Sequence, residues 1–306
     1  MIMRRLVVGL AGTVAVIAIV IPGIQVWLTD FGKLPDPPAN TLRVASYNVH
    51  YIRAGEEDGP WSLADWEARK TSLDAAVKAT GADLIAFQEM ESFTRGSDGS
   101  LNLARDYLSR ENPDYALAAT GDWREFPSTQ PIFFRPDVLE LRDEGWFFFS
   151  DTPDRIYSPT FNGSWPAFAS WAEFAPLGGG APFRVVNVHF DSRSGTNRRL
   201  SAELVAERLE PVISAGTPVI LLGDLNTFGP TRPMRVLQDV GLRFPGVPGA
   251  TFHMDLGLHM LPAIDRVAVT EGIAIEGGPH VLQDSFAGDW GSDHHPLIAD
   301  LLMSAD

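Results

Sequence analysis

The segment Pro218–Gly229, PVILLGDLNTFG, restricts the possible folds more than any other stretch of this chain. Val219, Ile220, Leu221 and Leu222 form a continuous apolar run, the pattern of a strand covered on both faces. Such a strand lies inside a layered sheet, so the rest of the chain must supply two covering layers. Gly223 breaks the run, and Asp224 and Asn226 follow it. Alternation at a strand end points these two side chains the same way. A carboxylate at the rim of a buried sheet is costly unless it is paired or holds a metal. Asp, Asn and Gly are also common where strands simply turn. Taken alone, the segment fits both a functional rim and a plain turn.

The chain is long enough, at 306 residues, and apolar enough, at 45% hydrophobic, to bury the layers that such a strand needs. Its beginning reads differently. Arg4 and Arg5 precede residues 6–24, which carry no charge, and Val26, Trp27 and Leu28 extend the run. That length spans a bilayer core. A cleavable signal would have a shorter apolar region and small residues at its end, whereas this one ends VIPGIQVWLTD. Residues 1–28 are therefore expected to be a retained membrane anchor. The two arginines then stay cytoplasmic, and the remainder is extracytoplasmic, in the periplasm or outside the cell. Residues 29–40, with Pro35, Pro37 and Pro38, read as a stiff linker.

A single domain is expected over residues 41–304. Strands are predicted at 42–49, 83–87, 115–119, 131–134, 168–174, 183–190, 218–222, 263–269 and 297–302. A further strand pair, or one bent strand, is predicted over 138–149. Helical spacing covers 63–80, 101–110, 198–209 and 234–240. Many strands among few helices indicate an α/β fold with two layered sheets. The absence of cysteine excludes disulfides and thiolate metal sites. The formal charge of −15 repels nucleic acid and anionic lipid unless a basic patch or metal ions intervene.

Several predicted strands end in an acid, an amide or an imidazole: Asn48, Glu89, His189, Asp224, Asn226 and Asp265. The tail Gly291–Pro296, GSDHHP, precedes the last strand. Each residue has an ordinary explanation when taken alone. Asn48 can bond its own backbone, Glu89 can be a solvated acid, His189 a core imidazole, and Asp265 a partner of Arg266. If the ends share one rim, they form a cluster of carboxylates, amides and imidazoles. Oxygen ligands of this kind suit Mg²⁺, Mn²⁺ or Ca²⁺, and imidazoles move protons near neutral pH.

Together the motifs resemble the endonuclease/exonuclease/phosphatase superfamily, the deoxyribonuclease-I-like fold. The matching pieces are SYNVH (Ser46–His50), FQEME (Phe87–Glu91), NVHFDS (Asn187–Ser192), GDLN (Gly223–Asn226), IDRV (Ile264–Val267) and GSDHHP (Gly291–Pro296). The resemblance implies a four-layered α/β sandwich, two packed and mostly antiparallel sheets flanked by helices. It also implies metal-dependent cleavage of phosphate esters, with Mg²⁺ expected and Mn²⁺ or Ca²⁺ as substitutes. By the same resemblance Glu89 binds the metal, Asn48 lies beside it, and Asp293 supports the site. Asp224 orients or deprotonates the attacking water, and Asn226 holds that water or the phosphate. His189 contacts phosphoryl oxygens. His294 is a general base or phosphate contact whose tautomer Asp265 fixes.

Arg193, Arg198 and His253 are further candidates for substrate contact. The expected partner is a phosphate ester, either nucleic acid or a phospholipid headgroup, and no protein partner is implied. A phosphodiesterase is the first reading. A phosphomonoesterase of the same fold and a tethered binding module are the alternatives. A zinc hydrolase is disfavoured, because no H-E-x-x-H is present.

Overall fold

The computed structural model describes residues 20–29, 33–94 and 100–303. The predicted membrane anchor falls largely on residues 1–19, outside the described residues. Residues 20–27 are helical, and among the described residues no helix is long and apolar enough to cross a membrane.

Two sheets form the centre. The first runs in the order β12 (Ile273–Val281), β13 (Leu297–Met303), β1 (Leu42–Asn48), β3 (Leu84–Gln88), β6 (Ile132–Phe134) and β5 (Ala116–Ala118). The second runs β11 (Asp265–Val269), β10 (Val219–Asp224), β9 (Phe183–His189), β8 (Phe168–Pro176) and β7 (Leu139–Phe148). Each sheet has one parallel pair, β1 with β3 and β9 with β10, and is otherwise antiparallel. A small parallel ribbon joins β2 (Ile52–Arg53) to β4 (Ser92–Phe93).

The continuous apolar run in β10 now has its cause. Ile220 and Leu222 face the core between the sheets, with Val44, Leu84, Phe174, Val185 and Leu297. Val219 and Leu221 face outward, under the helices Gly195–Ser214 and Arg232–Asp239, which contribute Val205, Leu209 and Leu237. On the opposite side, the helices Leu63–Thr80 and Leu103–Glu111 cover the first sheet through Trp66, Leu73, Val77 and Leu108. The layers are helix, sheet, sheet, helix, as the resemblance implied.

Differences from the sequence reading lie at the edges. β12 carries little apolar signal, because its exposure alternates and Gly277, Gly278 and Pro279 interrupt it where the pairing with β13 shifts register. The ribbon strands β2 and β4 span two residues each, too short for periodicity to show. The segment predicted as a pair or a bend is one strand, β7, with an irregularity between Leu141 and Asp143. Residues beyond the expected linker boundary also pack on the domain. Gln25 Nε2 donates to the Gly257 carbonyl (3.0 Å), and the Leu28 carbonyl accepts from the Ala250 N–H (2.9 Å).

The sheet topology gathers the polar strand ends. Parallel pairing puts Asn48 beside Gln88, and Asp224 beside His189. Antiparallel pairing sets Asp265, the first residue of β11, directly opposite Asp224. The start of β13 reaches the same rim, because Leu297 pairs with Ser46 near the end of β1.

Gly223 permits this arrangement. Its φ is +148°, and a Cβ there would lie 1.9 Å from the Val188 carbonyl oxygen on β9. Gly223→Ala is expected to destabilise the protein by on the order of 3 kcal/mol or more, through steric strain in the central parallel pair. Urea unfolding followed by circular dichroism checks this, and an unchanged midpoint contradicts it.

Candidate active site

At the rim, Asn48 is fully buried at the end of β1 and joins the two sheets. Its Nδ2 donates to Glu89 Oε1 (3.1 Å) and to Asp224 Oδ2 (3.3 Å). Glu89 follows β3 by one residue. His189, at the end of β9, brings its Nε2 to 3.6 Å from Glu89 Oε1 and 3.7 Å from Asp224 Oδ2. Its side chain is 26% exposed, so it opens on the rim and is not a core imidazole. Asn226 donates its backbone N–H to Asp224 Oδ1 (2.7 Å), and its Nδ2 to the Phe190 carbonyl (2.9 Å) and Asp224 Oδ2 (3.2 Å). The amide thus fixes the rotamer of Asp224.

His294 lies between two carboxylates. Its Nδ1 is 2.9 Å from Asp265 Oδ2, and its Nε2 is 3.8 Å from Asp224 Oδ2. Asp265 therefore serves the imidazole. Its neighbour Arg266 points away along the strand, reaching only the Asp265 backbone carbonyl, at 3.4 Å. Burial alone would depress the His294 imidazole, but Asp265, through charge and hydrogen bond, outweighs it and raises the ring to about 10. Burial and the Asp265 charge push the Asp224 carboxyl up to about 6. Burial would also raise Glu89, but the His189 and His50 imidazoles and the Asn48 amide together hold it below the usual carboxylate range.

Two kinds of donor set suit a cation here. Asp224, Asp265 and His294 each bring one ligand atom within 4.8 Å of the others. In that group Asp265 and His294 are already bonded to each other. Glu89 offers one oxygen to such an ion: its Oε2 is buried without a hydrogen-bond partner. A carboxylate held anionic, with one orphaned oxygen beside an amide, fits a hard divalent ion. Asp293 stands further back, with its Oδ2 3.7 Å from His50 Nε2.

His50 is the residue that the sequence reading passed over. Its backbone N–H donates to Asn48 Oδ1 (3.1 Å), and its ring stacks on Trp61 with centroids 3.3 Å apart. It sits between Asp293 and Glu89, and both carboxylates act on its charge. The signal was present in SYNVH, two residues after Asn48. His50, Glu89 and Asn226 all hold left-handed backbone, with φ of 51°, 53° and 48°. Non-glycine residues adopt this at a cost of about 1–2 kcal/mol each, which the surrounding bonds must offset. Arg69 supplies some of those bonds from the helix Leu63–Thr80, donating to the carbonyls of Val49 (2.9 Å), His50 (3.0 Å) and Gly291 (2.7 Å).

The other candidates lie apart from this cluster. Arg198 donates to the Asp191 carbonyl (2.7 Å), and Arg193 is exposed on the turn that Asp191 caps. His253 is fully buried, stacked on His295 with centroids 4.1 Å apart. It touches the site through its backbone, donating its N–H to the Asp293 carbonyl (2.8 Å).

Residues 45–294 match the model of the endonuclease/exonuclease/phosphatase family. The chain belongs to that family. Among solved structures, it is similar to a mannosyl-6-phosphatase from Bacteroides thetaiotaomicron, at 23% identity and a TM-score of 0.69, covering 85% of this chain and 99% of that one. A functionally unknown protein from Enterococcus faecalis aligns at 24% identity and a TM-score of 0.70, covering 86% and 100%. The D. rerio TDP2 in complex with a single-stranded DNA product aligns at 13% and a TM-score of 0.57, covering 85% and 98%. No curated protein sequence matches the chain. At these identities the neighbours establish the fold that this family member shares.

The buried imidazoles behind the site have a consequence for stability. Burial, aided by the charges of His294 and His259, lowers His253 to about 4. In the unfolded chain it titrates near ~6.5. The folded state therefore binds fewer protons than the unfolded one between these values, and stability is lost as pH falls through them. From pH 7.5 to 5, His253 alone is expected to remove about 2 kcal/mol. Urea unfolding at several pH values checks this. The loss should be smaller in His253→Asn by that amount, and equal slopes in the two proteins would contradict it.

Proposed function

We propose that this chain hydrolyses phosphate esters by direct attack of water, with a divalent cation held at Glu89. The observation that carries the reading is the orphaned Glu89 carboxylate oxygen, set at one rim with Asp224, Asn226, His189 and His294. Glu89, with Asn48 beside it, would hold Mg²⁺, or Mn²⁺ or Ca²⁺ in its place. When bound, the ion supplies Lewis-acid polarisation of a phosphoryl oxygen.

The protein's own groups divide the remaining work. Asp224, oriented by the Asn226 amide, accepts the proton of the attacking water as its oxygen bonds to phosphorus and the ester P–O bond breaks, the alcohol taking a proton from solvent as it leaves. His294 carries its proton at neutral pH, so it serves as a donor to the phosphate and not as a base. Its Nδ1 bond to Asp265 fixes the ring with Nε2 toward Asp224 and the reacting group. His189, on the opposite side of Asp224, donates to a non-bridging oxygen. His50 holds the Asn48 side chain through its backbone N–H, and Asp293 backs the His50 ring. These are effects of positioning and electrostatics, which dominate phosphoryl transfer.

A small ester is favoured over a long nucleic acid. The chain carries a charge of −15, and the Arg198 guanidinium beyond His189 is engaged by a backbone carbonyl. The frame is shared with a neighbour named a mannosyl-6-phosphatase, in keeping with a small ester, and with a TDP2 solved with a single-stranded DNA product. The uncharged residues 6–24 support retention at a membrane, with the hydrolase domain on the extracytoplasmic side.

Turnover of bis(p-nitrophenyl) phosphate and p-nitrophenyl phosphate with Mg²⁺ or Mn²⁺ tests the reading. Activity is expected to vanish with EDTA and to fall by about 10³-fold in Asp224→Asn and in His294→Ala. Glu89→Gln should weaken Mn²⁺ binding at least about tenfold by calorimetry, because it removes the anionic ligand. Metal-independent turnover, or full activity in Asp224→Asn, contradicts the proposal.

The same pair sets a pH profile. Asp224 must be deprotonated, so activity should rise through about pH 6, and His294 must stay protonated, so it should hold until about pH 10. Asp265→Asn removes the charge that sustains the imidazolium and should bring the alkaline limb down.

A further inference from the structure

Beside Glu89 and His189 lies a cavity of about 240 Å³, and six of its eleven lining residues are Phe, Tyr or Trp. Tyr51, just before β2, and Phe93, on β4, meet edge to face, with centroids 5.2 Å apart. Phe148 and Phe168 are opposed residues at the ends of β7 and β8, 5.3 Å apart. Tyr157 and Trp165 come from the connection between those strands. Tyr157 packs on Phe148 at 5.8 Å, and its hydroxyl donates to the Trp123 carbonyl. The Trp165 side chain forms part of the wall although the residue is 73% exposed.

We propose that this cavity is a specificity subsite, and that it holds a flat, uncharged aromatic ring carried by the alcohol part of the phosphate ester. The inference rests on the reading of the rim as a phosphoester hydrolase, and adds the class of substrate. Four features select this occupant. An apolar cavity of roughly 150 Å³ already holds benzene, so one ring with its linking bonds fits. No lysine or arginine lines the walls, so a second phosphate is excluded. Beyond the rim only Thr129, Glu91 and the tyrosine hydroxyls could bond a polyol, whereas six aromatic rings suit stacking. The carboxylates present are not available to attract a cation: Glu89 is assigned to the metal, and Glu91 already has a partner within the chain.

Contact with the cavity and the rim is simultaneous, because Glu89 and His189 belong to both. A phosphate at the rim therefore places its alcohol substituent at the cavity mouth. Trp165 closes the outer side, where a large exposed indole has little packing role of its own.

The test uses the full chain loaded with Mn²⁺ and two non-hydrolysable probes, phenylphosphonate and ethylphosphonate, titrated by calorimetry. The phenyl compound is expected to bind about tenfold tighter, the factor that one good ring contact supplies. Trp165→Ala should reduce that preference several-fold while leaving ethylphosphonate affinity unchanged, and Trp165→Phe should restore most of it. Because Trp165 is exposed, its removal leaves the core intact, and the ethylphosphonate titration reports any damage to the site. Equal binding of the two probes to the wild-type chain overturns the aromatic subsite alone. A third probe, the phosphonate analogue of choline phosphate, binding tighter than phenylphosphonate also overturns it, in favour of a cation cage. If no phosphonate binds, the phosphoester reading itself falls, and the subsite with it.

Discussion

Two buried carboxylates face each other across β10 and the edge strand β11 of the second sheet, and the site is arranged to make that tolerable. Asp224 and Asp265 are paired in register, and both are shielded from water. Like charges so placed repel strongly in a low-dielectric setting. His294, entering from the loop before β13, puts a positive ring between them. The two sheets must be held close for this to work, so catalytic geometry and sheet packing are one problem.

Several buried polar contacts help to hold the sheets at that distance. Gln88 Nε2 donates to Asn187 Oδ1 (2.8 Å), and Asn187 Nδ2 returns to the Phe87 carbonyl (2.7 Å), linking β3 to β9 across the interior. Asn48 adds its bond to Asp224. Such amides are costly to bury unless they are satisfied, and each specifies one relative placement of the sheets. Ser292 hydroxyl donation to the Asn48 carbonyl (2.7 Å) then pins the loop that carries Asp293 and His294.

Much of this was legible in the chain itself. The doubly covered β10 announced itself through Val219–Leu222, because burial on two faces leaves no polar position in the run. The rim residues Asn48, Glu89, His189, Asp224, Asn226, Asp265 and His294 were identifiable as polar breaks at apolar strand ends, sharpened by the family motifs. His50 escaped although it closes the SYNVH motif, because a single histidine after a strand end carries no mark of the stack on Trp61 that holds its ring. His253 read as a cleft residue, since a histidine in a polar stretch carries no mark of burial. β12 escaped because an edge strand with glycine and proline lacks the apolar alternation of an inner one.

The sequence by itself determined the layers, the family and the chemical inventory of the rim, because strand periodicity and motif identity are local properties of the chain. Tertiary structure decided which of those groups meet. Asn48 and Asp224 are separated by 176 positions in the chain and touch only because β1 and β10 pack face to face. The aromatic cavity was assembled in the same way. Tyr51, Phe93, Phe148 and Trp165 lie in separate segments, and no spacing between them signals a shared wall. Electrostatics followed packing as well. His294 is an imidazolium and His253 a neutral ring only because one is buried against carboxylates, and the other against imidazoles and Trp290.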